Sequence, residues 1–302
     1  MKASKVDVYT KITNDVIALM EEGQVAWRKP WKYAGVTWHQ NFKSKAPYRG
    51  INAFITYATA MSKGYESPYW LTYKQATELG GVVKKGSKST SVVFYTKVWF
   101  DKLKKVVKQP KGVSDAEMIA KGYKKFLSPK YYNVFNLDQI EGIEWSVEDK
   151  EYSDNEIIEK AEQIINEMPN RPTYHIVESS GAFYRPFDDS INMPLIEQFD
   201  DANSYYSTFF HEMVHSTGHE SRLKREGIVE HNGFGTETYS KEELIAELGA
   251  CFLCAETGIL PQQIENASAY IKHWIEKLKD DKKLIWKASQ DAQKAVDYIL
   301  NK

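Results

Sequence analysis

The sequence predicts an α+β protein in two parts. A basic α+β first half is followed by a second half in which strands lead into a histidine-bearing helix and then into further helices. Three observations carry this. Residues 1–130 hold 24 Lys and Arg against 9 Asp and Glu, and the rest of the 302-residue chain 16 against 32, so two differently charged halves meet in one chain. Apolar periodicity mixes helices and strands up to about residue 136, then gives strands first and helices after. Residues 211–215 read His-Glu-Met-Val-His, a motif with chemistry of its own.

Hydrophobic residues make up 42% of the chain and aromatics 13%, which allows a packed core and excludes wholesale disorder. No apolar run approaches a membrane span, and the first residues lead into a charged amphipathic segment rather than a signal peptide. A cytoplasmic location without membrane attachment is the expectation. Cys251 and Cys254 fall inside an apolar helical pattern, where small buried side chains are the simplest reading.

In chain order, residues 5–22 read as an amphipathic helix with Val6, Tyr9, Ile12, Val16 and Leu19 on one stripe and Gly23 closing it. A Trp- and Lys-rich stretch runs to Trp38, and 51–61 is again helical. Residues 68–71 suit a short strand, and Thr72 can cap a helix running to Leu79. Strands are expected at 82–83, 91–100 and 131–135, with the lysine-rich segment 101–128 as a loop or flexible hairpin. The charge changes sign between Asp138 and Glu151, which places a boundary there and gives units at 1–140 and 150–302. A helix over 155–168 is stopped by Pro169 and Pro172. Strands follow at 174–177 and 182–184, then a short edge strand at 190–194 that could bind an extended peptide. The motif helix spans about 204–217, and helices over 241–257, 266–279 and 282–300 complete the chain.

On a helix, His211 and His215 share one face and can reach a single ion, while Glu212 stands beside the metal as a base. A third ligand must come from elsewhere. His219 lies beyond Gly218, where the helix should end, and His231 is further still. Ser240 and Glu243 fit a capping box, which gives Glu243 a structural role. Glu247, one turn on in an otherwise apolar stripe and followed by Gly249 and Ala250, is therefore the expected third ligand, with Glu243 the alternative. The loser would orient a histidine. One Zn2+ per chain is the expected cofactor, with another divalent transition metal admitted. Such a centre lowers the pKa of water to ~7, Glu212 takes the proton, and a polarised carbonyl is attacked. Tyr239 is a candidate donor to the developing negative charge, although packing explains it as well.

Trp27, Trp31, Trp38, Trp70 and Trp99 all fall in the first hundred residues, interleaved with cations. Lysines and arginines that follow phosphates, with aromatic faces for unpaired bases, describe a single-stranded-DNA surface. Its candidates are Trp27, Arg28, Lys29, Trp31, Lys32, Arg49, Trp70, Lys84, Lys85 and Lys88.

The order of motifs resembles the ArdC-type antirestriction proteins over nearly the whole chain. The residues that carry this are Trp27-Arg28-Lys29-Pro30-Trp31, Tyr48-Arg49-Gly50-Ile51-Asn52, Trp70 to Gln75 and Lys85-Gly86-Ser87-Lys88. Val134 to Gln139, His211 to His219 with Arg222-Leu223, and Glu242 to Gly249 continue it. The resemblance implies a single-stranded-DNA-binding domain joined to a zincin-like metallopeptidase domain, carried by a mobile element and shielding entering DNA from host restriction. A host protein is a candidate substrate. Two other readings stay open. One is a non-proteolytic single-strand-binding protein with a structural metal; the other is a protease acting on proteins crosslinked to DNA.

Overall fold

The computed structural model describes residues 7–22, 38–146, 154–230, 237–259 and 267–302. Asp7 caps the first helix, α1 (Val8–Glu21), by accepting from the Thr10 N–H. Its Ile12, Val16 and Met20 are buried as the apolar stripe requires. Next come β1 (Gln40–Asn41), α2 (Ile51–Lys63) and β2 (Tyr69–Thr72). Thr72 then caps α3 (Tyr73–Glu78) through a full capping box with Gln75. Beyond it lie β3 (Val82–Val83), β4 (Thr90–Phe100), β5 (Val106–Val107), α4 (Asp115–Ala120), β6 (Lys124–Asn136) and β7 (Ile140–Glu141).

A five-stranded sheet in the order β1-β2-β6-β4-β5 forms the frame of the first half, while β3 and β7 pair separately. The segment expected as a loop or flexible hairpin, 101–128, does turn back as a short hairpin of β5 on β4, but it also holds the Ser114-capped α4 and the start of β6. Lysines and Pro129 hide that strand from a local reading. Pro129 pairs with Tyr95 on β4, and β2 reaches β6 only at Val134 to Asn136. At Pro129 the strand therefore has an open side, where a missing N–H costs no ladder bond.

The second half contains α5 (Asp154–Glu167), β8 (Thr173–Ile176), β9 (Phe183–Arg185), β10 (Ser190–Met193) and α6 (Ala202–Ser216). It ends with α7 (Glu226–Val229), α8 (Glu237–Thr257), α9 (Ala267–Asp280) and α10 (Leu284–Ile299). Here the sheet order is β8-β10-β9. The segment expected as an edge, 190–194, is thus the central strand, buried along its length, and β9 is an edge. Cys251 and Cys254 are buried and unbridged.

One apolar core runs through both halves. It joins Ile12 and Val16 of α1 and Phe54 of α2 to Phe209 of α6, Leu248 of α8 and Ala292 of α10. No helix among the described residues is long and apolar enough to cross a membrane.

Candidate metal centre

Asp201 starts the motif helix by accepting from the Ser204 N–H at 2.7 Å. Tyr205, Phe209, Phe210, Met213 and Val214 bury one side of α6. That anchorage turns His211 and His215 toward α8, with ring centroids 4.7 Å apart and Nε2 atoms at 3.1 Å. Two ring lone pairs that close repel unless a proton or a cation lies between them. Glu243 on α8 completes the group, with Oε2 at 3.7 Å from His211 Nε2 and Oε1 at 3.5 Å from His215 Nε2. One ligand atom from each of the three residues lies within 4.8 Å of the others.

Glu247 stands elsewhere. Its carboxylate lies 3.7 Å from Nδ1 of His211, on the far side of the ring. The structure thus brings Glu243, the alternative, beside both Nε2 atoms and sets Glu247 behind a histidine. The reason is the start of α8. The helix begins at Glu237, so Ser240 sits within it and cannot cap it. Glu243 is released from the cap expected of it, and Ser240 Oγ instead meets His273 Nε2 at 3.2 Å. His219 contacts Ser221 and stands near Asp189, away from the cluster. His231 lies outside the described residues, as does the side chain of Tyr239.

Electrostatics match a cation site. Burial disfavours a charged His211, yet the hydrogen bond to Glu243 and the charges of Glu247, Glu212 and Glu243 outweigh it and raise the pKa to about 9. Glu247 is pushed up, chiefly by burial. The pocket therefore favours positive charge, and its two imidazoles and one carboxylate are the donor set a divalent transition ion takes in a zincin-like site.

Two further sets of contacts position this group; Glu212 was expected from the sequence, but its partner Tyr184 and the pair Glu242 and Arg225 were not. Glu212 Oε2 accepts from the Tyr184 N–H of β9 at 2.7 Å, while its Oε1 accepts no hydrogen bond among the described residues. Behind His215, Glu242 Oε1 lies 3.4 Å from Nδ1. Arg225 donates to both Glu242 oxygens, to Thr217 Oγ1 and to the Val214 carbonyl. Burial would raise the Glu242 pKa, but bonds from His215 and Arg225 hold it below the ordinary carboxylate range. Glycine permits the approach of α8 to α6: a Cβ on Gly249 would meet Val214 Cγ2 at 2.7 Å. The only sequence trace of the outer pair was the doubled acid Glu242-Glu243, with two arginines shortly after the motif. Arg222 also forks onto Asp189, which accepts from the Tyr184 hydroxyl at 2.9 Å, tying the loop after α6 to β9.

In the basic half, the expected DNA residues separate into four groups. Trp70 is fully buried and donates to His39 Nδ1 at 3.2 Å, so it offers no face to a base. Its place in a short buried strand made it core. Arg49 is half-exposed and pairs with Asp297 of α10. Lys84, Lys85 and Lys88 are exposed and line a cleft of about 780 Å³ together with Lys11, Lys63 and Tyr65. Asp15, Glu22 and Asp138 line it too, and Lys84 donates to the Asp138 carbonyl. Trp27, Arg28, Lys29, Trp31 and Lys32 lie outside the described residues.

Fold and site together define a zincin-like metallopeptidase domain behind a basic α+β domain. The family model for a zincin-like metallopeptidase matches residues 159–291, and that for the N-terminal domain of the anti-restriction factor ArdC matches residues 6–135. The crystal structure of the antirestriction protein ArdC from plasmid R388, metal-free, superposes with a TM-score of 0.74 at 36% identity, covering 98% of this chain and 97% of that one. Its Mn(II)-bound form gives 0.72. The chain belongs to the ArdC antirestriction family. It is also 35% identical to the DNA primase TraC of Escherichia coli, across 99% of this chain but only 28% of that protein's length. An uncharacterized protein, y4eC, of Sinorhizobium fredii (strain NBRC 101917 / NGR234) is 30% identical over 97% of this chain and 91% of its own. A zincin-like domain and a Mn(II)-bound relative point to a divalent metal, and the His211–His215–Glu243 group is an arrangement that could hold one.

Proposed function

We propose that this chain is a zinc-dependent peptidase delivered to single-stranded DNA, protecting the DNA of a mobile element by cleaving a host protein. The observation that carries the reading is the convergence of His211 Nε2, His215 Nε2 and Glu243 with Glu212 held beside them. A bound divalent ion would supply Lewis acidity and lower the pKa of a water, and zinc is the ion for which two histidines and a glutamate are the familiar set. His211, His215 and Glu243 would hold it. The rest falls to this chain's own groups. The Tyr184 N–H fixes Glu212 through Oε2, leaving Oε1 to take a proton from water and return it to the leaving amine. Strand β9, which supplies that N–H, is an edge beside the site and can line an extended peptide, with the Tyr184 N–H already given to Glu212. The cleft lined by Lys84, Lys85 and Lys88 supports contact with a phosphate backbone.

The test compares the parent with Glu212→Gln, which keeps the acceptor for Tyr184 but cannot take a proton. Both are incubated with host restriction and DNA-binding proteins, with and without single-stranded DNA. Cleavage by the parent alone is the expected result. Intact partners under every condition would refute the peptidase and leave a binding protein with a structural metal.

A further inference from the structure

Beyond the lysine cleft, the outward face of the first sheet carries an unassigned pocket. Across β4 and β6 the register puts Val92 opposite Tyr132 and Phe94 opposite Lys130, so Phe94, Tyr132 and Lys130 share one face. Farther along that face, Phe126 is again exposed and stands edge-on to Phe100. Apolar rings on a sheet face normally sink into a core. Here Phe94 is 47% exposed and Tyr132 41%, with ring centroids 5.6 Å apart in an edge-to-face pair. The opposite face at this level is spent on the body of the protein, since Tyr95 meets Trp286 and Gln290 of α10.

Phe94 and Tyr132 wall a pocket of about 250 Å³, lined further by Tyr48 and rimmed by Asn41, Thr72 and Gln75. That is smaller than the ~300–1,000 Å³ of a typical small-molecule site and suits one flat group. The rim is polar in a defined way. Gln75 Oε1 accepts from Asn41 Nδ2 and from the Thr72 N–H, and Gln75 Nε2 donates to Asn41 Oδ1 at 3.4 Å. An amide nitrogen carries two donors, so the second N–H of Gln75 is without a partner among the described residues. One cation, Lys130, shares the face of Phe94, whereas Lys43 pairs with Glu78 and Lys45 lies over the Phe42 ring.

We infer that this pocket holds one unpaired base of a single strand of DNA, stacked against Phe94 and Tyr132 with its edge toward Gln75. Exposed rings give a stacking surface that any base can use, a spare donor meets a ring carbonyl or nitrogen, and Lys130 on the same face can meet a phosphate. The inference rests on the single-strand reading above and adds to it where a base, as distinct from the backbone, is held.

The test measures fluorescence anisotropy of the full chain with an end-labelled single-stranded oligonucleotide, with its abasic counterpart, and with heparin as competitor. Phe94→Ala/Tyr132→Ala is expected to lose about 5- to 150-fold in affinity for the base-bearing strand, the range of one stacked base. Its salt dependence should stay that of the parent, because no phosphate contact is removed. Phe94→Trp, which keeps an aromatic face, should bind as the parent does, and superimposable melting curves show that the fold is intact. Parent-like binding by the double variant, equal binding of the abasic strand, or full displacement by heparin with no preference for bases overturns the pocket. Lys84→Ala/Lys85→Ala/Lys88→Ala probes the backbone separately: if it alone weakens binding, the single-strand reading stands without the pocket. A parent that binds no single strand removes both.

Discussion

Removing the charges of Arg225 and Glu242 together should loosen the metal while leaving the fold nearly as stable as before. The two side chains touch no candidate ligand atom facing the ion; Glu242 meets His215 at Nδ1, the nitrogen turned away from Glu243. Both are buried, and Arg225 satisfies two carboxylate oxygens, a hydroxyl and a carbonyl at once. In Glu242→Gln the guanidinium loses its counter-charge in the interior, and breaking such a pair costs about 3–5 kcal/mol. Loss of the partner that orients a liganding histidine costs about 10- to 100-fold in metal affinity, or ~1.4–2.7 kcal/mol. The single variant mixes these effects. Arg225→Met/Glu242→Leu separates them, since replacing a buried pair with apolar side chains of similar volume is close to neutral for stability. Urea unfolding of metal-free protein reads the first quantity, and competition for Zn2+ against a chromophoric chelator reads the second. The double variant is expected to unfold near the parent's midpoint yet bind zinc about 10- to 100-fold more weakly. Affinity equal to the parent's would show that packing alone orients His215, and the argument would fail. Acid unfolding adds a sign. The Glu242 pKa is lower folded than the ordinary 4.5, so its contribution is present above that value and is lost as pH falls through the folded pKa. The double variant should lose less stability there.

Glu243→Gln should reduce zinc affinity far more than Glu247→Gln, whose loss is limited to the ~10- to 100-fold of an outer partner; the reverse order by calorimetry would return the third position to Glu247. His39 is buried against Tyr57 and Trp70, and burial lowers its pKa from 6.5 to about 3. Between those values the unfolded chain binds the extra proton, so stability falls as pH drops from 6.5 toward 3, by up to roughly 4–5 kcal/mol. His39→Gln is expected to be less stable at neutral pH but flatter across that window; an unchanged slope in pH-dependent melting would show that His39 is not the acid-sensitive group.

Much of the helical content was legible because it is local. The α1 stripe, the Thr72 cap and the motif helix are written in spacing and capping residues that fix φ and ψ within a few positions. What failed was non-local. From Lys124 to Val134, β6 is a strand only because β4 supplies eleven partners for it, from Thr90 to Phe100, and no property of the lysines and Pro129 announces that. Trp70 read as a nucleic-acid contact because composition gives a residue's neighbourhood in sequence but not its side of a sheet. The cap expected of Ser240 and Glu243 failed for a similar reason. Where a helix starts decides which glutamate is a cap, and α8 starts earlier than its apolar pattern does.

The core common to α1, α2, α6, α8 and α10 has a consequence for how partners are chosen. Domains that meet across a small polar seam swing relative to one another. Here the seam is continuous apolar packing, with Arg49 paired to Asp297 across it. Among the described residues, the basic half and the metal centre share that packing, so any swing of one against the other would have to break it. Anything gripped at both must span the interval between them, as an object must match the opening of a caliper. Selection by reach then acts before any side chain of the partner is recognised.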